Sequence, residues 1–380
     1  MSQRVDAVSA AGALADAAGG ATGGAKKRLL SLDFMRIFAI LLVIFNHTDN
    51  RGFYRFLTDD PGTFLYWFNL FFSILCKAAV PLFFMISGAL LLNKEESIGV
   101  TYKRGIRIVL ALILFSLLYN VFFAWETGTH FGIVEFLKKT MYLEGTSERN
   151  AWHLWYLYAY IAFLLTVPIL RGFIRGLSER EGLVLFLLSV SFGCVLPLFQ
   201  FFICNVNPYL VPAWTTAMIL FYPVMGYLLT FRLELSKITG KQIAVLWLIN
   251  LLLFALCEFA HYKYSGKNPG STDELYLTSN RAFNTPLIYL TFLKVFSQKS
   301  YGDKWDKIIT EIGICTYGVY LIHPFFLRYF TPIQKVWAVF EHGGFIRDEF
   351  GIVSTVLCVF LITLSITWVL RRIPVVKKLF

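Results

Sequence analysis

Ten mainly apolar stretches divide this chain, near residues 30–48, 72–92, 105–125, 153–173, 183–203, 213–231, 243–260, 284–298, 308–330 and 350–370. A helix needs roughly 20 such residues to cross the hydrocarbon of a bilayer. Inside that hydrocarbon only helices and closed barrels satisfy their own backbone. The runs are continuous rather than alternating, which favours helices over barrel strands. The sequence therefore predicts an all-α polytopic membrane protein with about ten transmembrane helices. Composition agrees: 57% of the 380 residues are hydrophobic and 16% are charged, against roughly a quarter charged in a soluble domain. The eighth stretch is short. The second is interrupted by Lys77 and Pro81 and is expected to bend or lie partly in the interface, because proline removes a helix hydrogen bond.

With ten spans, the Lys and Arg between them fall about two to one on the side shared by the termini, which places both termini in the cytoplasm. The net charge of +11 then follows from membrane topology and needs no nucleic acid as partner. Residues 1–28, rich in Ala and Gly, read as a disordered cytoplasmic tail, and 29–380 as the membrane domain. The tail has no apolar core long enough for a signal peptide, so the first span is expected to stay in the mature protein. The six cysteines, Cys76, Cys194, Cys204, Cys257, Cys315 and Cys358, lie in or beside apolar stretches without a CxxC pair. Neither a disulfide framework nor a metal site is expected.

The first span carries two ionisable residues, Arg36 and His47, 11 residues apart. At about 100° per residue they share one helical face, roughly 16 Å apart along the axis. Ionisable residues inside a span are functional-site candidates by default. The alternative is that each reaches the nearer headgroup layer. The expected topology sets His47, His153 and His323 at similar depth toward the outer face. His153 sits within Trp152-His153-Leu154-Trp155-Tyr156; the fourth span thus opens on aromatic residues that suit either sugar stacking or an interfacial belt. No internal repeat or inverted symmetry is evident.

Four stretches resemble the bacterial integral-membrane acyltransferases of the acyltransferase-3 family, which O-acylate surface carbohydrates. They are Arg36-x10-His47 preceded by Leu32-Asp33; Pro81-Leu82-Phe83-Phe84-Met85-Ile86-Ser87-Gly88; Lys103-Arg104-Gly105-Ile106-Arg107; and Thr316-Tyr317-Gly318-Val319-Tyr320-Leu321-Ile322-His323-Pro324. In the last, Thr316 stands where the family has Ser. Many members carry a C-terminal extracytoplasmic hydrolase-like domain, and this chain, ending at Phe380, is expected to act without one.

The resemblance implies an O-acyltransferase that moves an acyl group, acetyl first, from cytoplasmic acyl-CoA to a hydroxyl of a cell-surface polysaccharide or lipid-linked glycan. Acetyl-CoA would be the donor, with no permanently bound cofactor. Such chemistry needs a base, an oxyanion partner, a grip on the donor and exclusion of water. His47 is the expected base or transient acyl carrier. His323 and Tyr320 are its expected catalytic partners, and Pro324 is expected to break the helix beside them. Arg36, Arg104 and Arg107 are candidates for the phosphates of coenzyme A, with Asp33 orienting Arg36. For Arg104 and Arg107, plain anchoring at the inner face competes with that role. His153, Trp152 and Trp155 are candidates for the acceptor, and Ser87-Gly88 reads as close helix packing. Lys77, Glu258 and Glu311 are left unexplained. The protein is expected in the cell membrane, with polysaccharide-synthesis proteins as possible partners. A transporter using Arg36 and His47 as a substrate or proton path is the rival.

Overall fold

The computed structural model describes residues 30–129, 132–141, 151–207, 211–212, 216–267, 274–297, 299–330, 333, 335, 345–374 and 376–379. The expected tail at 1–28 lies outside them. The helices are α1 (Leu30–Asn46), α2 (Phe64–Cys76), α3 (Ala79–Leu92), α4 (Ile98–Thr127), α5 (Ile133–Met141), α6 (Trp155–Gly176), α7 (Glu179–Val190), α8 (Leu196–Phe202), α9 (Met218–Phe231), α10 (Gly240–Lys267), α11 (Glu274–Ser279), α12 (Arg281–Phe296), α13 (Asp303–Tyr329) and α14 (Phe345–Leu370). A π-helical turn, Ser191–Val195, joins α7 to α8. No strand occurs among the described residues. The protein is all-α and polytopic.

Each of the ten apolar stretches holds a helix. Seven helical segments among the described residues are long and apolar enough to cross a bilayer: Phe64–Leu92, Ile98–Thr127, Trp152–Gly176, Glu179–Phe202, Gly240–Tyr264, Asp303–Arg328 and Asp348–Leu370. The other three, α1, α9 and α12, have 17, 14 and 16 residues, below the roughly 20 that lipid requires. Protein encloses α9 and α12 along most of their length, and a helix sheltered by protein need not match the bilayer thickness.

The second stretch is interrupted, though not at its proline. The break falls at Lys77-Ala78, between α2 and α3. Pro81 lies in the first turn of α3, where a missing N–H leaves no helical hydrogen bond unmade. The Lys77 and Ala78 amides instead donate to Ile74 O and Leu75 O, a tightened turn that closes α2.

Contacts divide the chain into two compact units. One comprises the described residues up to Glu95 together with Ile169–Thr316; the other comprises Glu96–Pro168 and Tyr317–Phe380. In the first unit, α3 crosses α9 with no side chain between the backbones. A Cβ on Gly88 would overlap the Pro223 carbonyl, and a Cβ on Gly226 would overlap the Met85 carbonyl. Each glycine thus admits the other helix's backbone one turn before that helix's own glycine, and such close approach lets dispersion forces act across the contact, one of the sources of helix association in a membrane. The expected close packing at Ser87-Gly88 is thus met by a partner glycine 138 positions later.

Gly88→Val and Gly226→Val should each destabilise the protein by at least the about 1–3 kcal/mol typical of overpacking. Gly172→Ala, whose added Cβ meets nothing within 4 Å, should leave the thermal unfolding midpoint in detergent within error. Unchanged midpoints for both valine variants would refute the crossing.

Candidate functional site

Asp33 lies in the first turn of α1 and is fully buried, the only buried carboxylate among the described residues. Its Oδ1 is 2.6 Å from Arg36 Nη1, one turn along the same helix face. Helix α13 receives this carboxylate: Thr310 Oγ1 is 3.5 Å from Asp33 Oδ2, and a Cβ at Gly313 would sit 2.6 Å from Asp33 Oδ1. Glycine at 313 therefore makes the room that the acid occupies. Arg36 keeps 19% side-chain exposure. One guanidinium edge is held while the group stays accessible.

His47 follows the last residue of α1. There the chain tightens, and the His47 amide bonds Ile44 O at 3.1 Å instead of reaching back four residues. That would leave the Val43 carbonyl without its helical donor. The His47 ring supplies one, with Nδ1 2.7 Å from Val43 O. A carbonyl can only accept, so Nδ1 carries the proton and, in the neutral ring, the lone pair is on Nε2. The end of the helix thereby selects the tautomer suited to a general base.

The second unit repeats this device. His323 precedes Pro324, which has no N–H for Tyr320 O. The helix does not break as expected; α13 continues to Tyr329 with Pro324 inside it. Its ladder is completed by His323 itself, whose Nδ1 lies 2.8 Å from Tyr320 O and 3.2 Å from Val319 O. His323 is fully buried, and its lone pair is again on Nε2. Around it, Tyr320 Oη donates to His153 O at 2.6 Å, Tyr119 Oη donates to Leu321 O at 3.0 Å, and the His153 and His323 ring centroids are 6.0 Å apart. Tyr119 and Tyr156 pack on this group, at 4.8 Å from His153 and 5.3 Å from Tyr320.

The sequence candidates sort by these two groups. Asp33, Arg36 and His47 belong to the first unit. His153, Tyr320 and His323 form one cluster in the second. Trp152 and Trp155 do not share it: they are 47% and 41% exposed, whereas His153 is 2% exposed, because the turn Trp152–Leu154 points His153 and Leu154 inward and Trp152 outward. Arg104 makes a two-pronged ion pair with Glu96, Nη2 to Oε2 at 2.8 Å and Nη1 to Oε1, with Thr101 Oγ1 3.3 Å from the same carboxylate. Arg107 is exposed. Glu96, Gly313 and Tyr119 are participants that sequence reasoning missed. Only Gly313, a helix-disfavoured residue inside an apolar span, carries a sequence signal. His130 and His342 lie outside the described residues.

The family model described as an acyltransferase domain matches residues 29–372. No curated protein and no solved structure matches the chain.

Tyr320→Phe removes the donor to the buried His153 carbonyl. It should lower stability by about 1–2 kcal/mol, read as a fall in the thermal midpoint in detergent; an unchanged midpoint would mean that the bond contributes nothing net.

Proposed function

The chain belongs to the acyltransferase-3 family, and we propose that it moves an acetyl group from cytoplasmic acetyl-CoA to a hydroxyl of a cell-surface polysaccharide or lipid-linked glycan. It is a multi-pass membrane acyltransferase. Acetyl as the group, coenzyme A as its carrier, a glycan as acceptor and the cell membrane as location are our reading. The observation that carries it is the α1 arrangement: a base with its lone pair on Nε2 at one end, and at the other a guanidinium held by a buried carboxylate.

In this reading His47 Nε2 takes the proton of the acceptor hydroxyl as its oxygen attacks the thioester carbonyl. The imidazolium then returns the proton to the leaving thiolate. Arg36 grips a phosphate of coenzyme A with the guanidinium edge that Asp33 does not use. Arg104 and Arg107 add cationic character; Arg104 would exchange Glu96 for phosphate. The roughly 16 Å of helix between Arg36 and His47 is comparable to the reach of a pantetheine arm. The nucleotide can therefore stay at the inner face while its thioester reaches the outer half. In the second unit, His323, Tyr320 and His153 are read as a hydroxyl-binding cluster of their own, supported by the bonds and ring contacts among them.

Release of coenzyme A from acetyl-CoA by the purified protein in detergent tests the reading. His47→Ala should lower kcat by about 10²–10⁴-fold, the usual worth of a general base. Arg36→Ala should chiefly raise KM for acetyl-CoA, with Arg36→Lys rescuing only in part. Intact acetyl-CoA after long incubation, with both residues still needed in cells, would favour transport instead.

Orientation has its own check. In a cysteine-free background, single cysteines at Lys94 and Arg175 should resist an impermeant thiol reagent in intact cells, and one at Thr58 should react. Labelling at Lys94 would invert the topology and remove the cytoplasmic donor site.

A further inference from the structure

We propose that Lys77 holds the oxyanion formed when the acceptor attacks the thioester beside His47; this rests on the acyl-transfer reading above. Lysine inside an apolar segment is costly to insert, and such residues mark function. Lys77 lies within Phe64–Leu92, the most enclosed of the long segments, 67% buried. It occupies the break between α2 and α3, so its side chain leaves from a turn and not from a packed helical face.

The ammonium is directed toward the end of α1. Lys77 Nζ lies 4.6 Å from the centroid of the Phe53 ring, and Phe53 is 1% exposed. The chain reaches this point by doubling back after α1 through Asp49, whose φ of 49° is left-handed, a conformation that Asp tolerates better than most residues. The Phe53 amide donates to Thr48 Oγ1 at 3.0 Å, and Thr48 Oγ1 donates to Phe45 O at 2.7 Å. Thr48 is the residue after His47. The ring under the ammonium is thus fixed to the same turn that holds the base. An aromatic face steadies a cation without cancelling its charge. A preorganised positive charge in a low-dielectric site, beside a neutral base, is what a tetrahedral oxyanion requires.

The step balances. The acceptor oxygen bonds to the carbonyl carbon as its proton passes to His47 Nε2. The carbonyl π pair moves onto oxygen, against the Lys77 ammonium. That pair re-forms the carbonyl as the carbon–sulfur bond breaks, and the thiolate of coenzyme A takes the proton from His47. Lys77 keeps its own protons throughout.

The test uses the full-length protein in detergent and acetyl-CoA, with water as acceptor. Lys77→Met should lower kcat by about 10²–10³-fold, the range for loss of one oxyanion-hole donor, with KM changed less than about threefold. Lys77→Arg should keep part of the rate, and Lys77→Gln, uncharged but polar, serves if the methionine variant does not fold. In a His47→Ala background the same Lys77 change should cost less than about tenfold, because groups serving one step are not additive. A folded, uncharged variant with kcat within about threefold of the parent overturns the proposal. So does an equal loss in both backgrounds, which marks a structural role. Failure of the parent protein to release coenzyme A would instead bring down the acyl-transfer reading itself.

Discussion

A carbonyl oxygen facing hydrocarbon must have a hydrogen-bond donor, because no water is there to supply one. This protein interrupts its helices repeatedly, and at several of the interruptions a side chain takes over. His47 bonds Val43 O where α1 ends, and His323 bonds Tyr320 O where Pro324 removes the ladder donor. Arg171 turns two guanidinium nitrogens, at 3.0 and 2.9 Å, onto Leu91 O at the end of α3. Tyr320 and Tyr119 serve His153 O and Leu321 O. Two of these substitute donors are histidines, and the same bond that repairs the helix fixes the proton of each on Nδ1.

The second constraint is close approach. Gly88 and Gly226 bring the backbones of α3 and α9 into contact, and Gly313 opens the space that Asp33 fills against α13. The two cases differ in purpose. The first joins two helices by dispersion alone. The second buries a carboxylate, which an isolated site would not tolerate, by giving it Arg36 and a hydroxyl at once. The ion pair also limits the rotamers open to the long Arg36 side chain.

Charge is sparse inside the apolar segments, so each instance is informative. Arg104 satisfies Glu96 and takes part in local structure before any ligand arrives. Arg36 retains exposure despite its partner. Lys77 is set on an aromatic face rather than in a headgroup layer. Side chains of the same charge class thus do three different things, and composition cannot separate them.

The sequence by itself determined the fold class, the place of each apolar helix and the family, since hydropathy over some 20 residues and short local motifs are properties of contiguous chain. It also placed Asp33 one turn from Arg36 and set Arg36 and His47 on one helix, because helical periodicity is local. It named Lys77 as an interruption of the second stretch but put the bend down to Pro81, and it misjudged the effect of Pro324, because both depend on which neighbouring group supplies or replaces a hydrogen bond. Only the tertiary structure decided that Gly226 answers Gly88, that Gly313 admits Asp33, that Glu96 occupies Arg104, that His153 turns inward while Trp152 and Trp155 turn outward, and that Lys77 lies over the Phe53 ring. Each joins residues far apart in the chain or chooses one direction for a side chain, and packing, not local pattern, sets both.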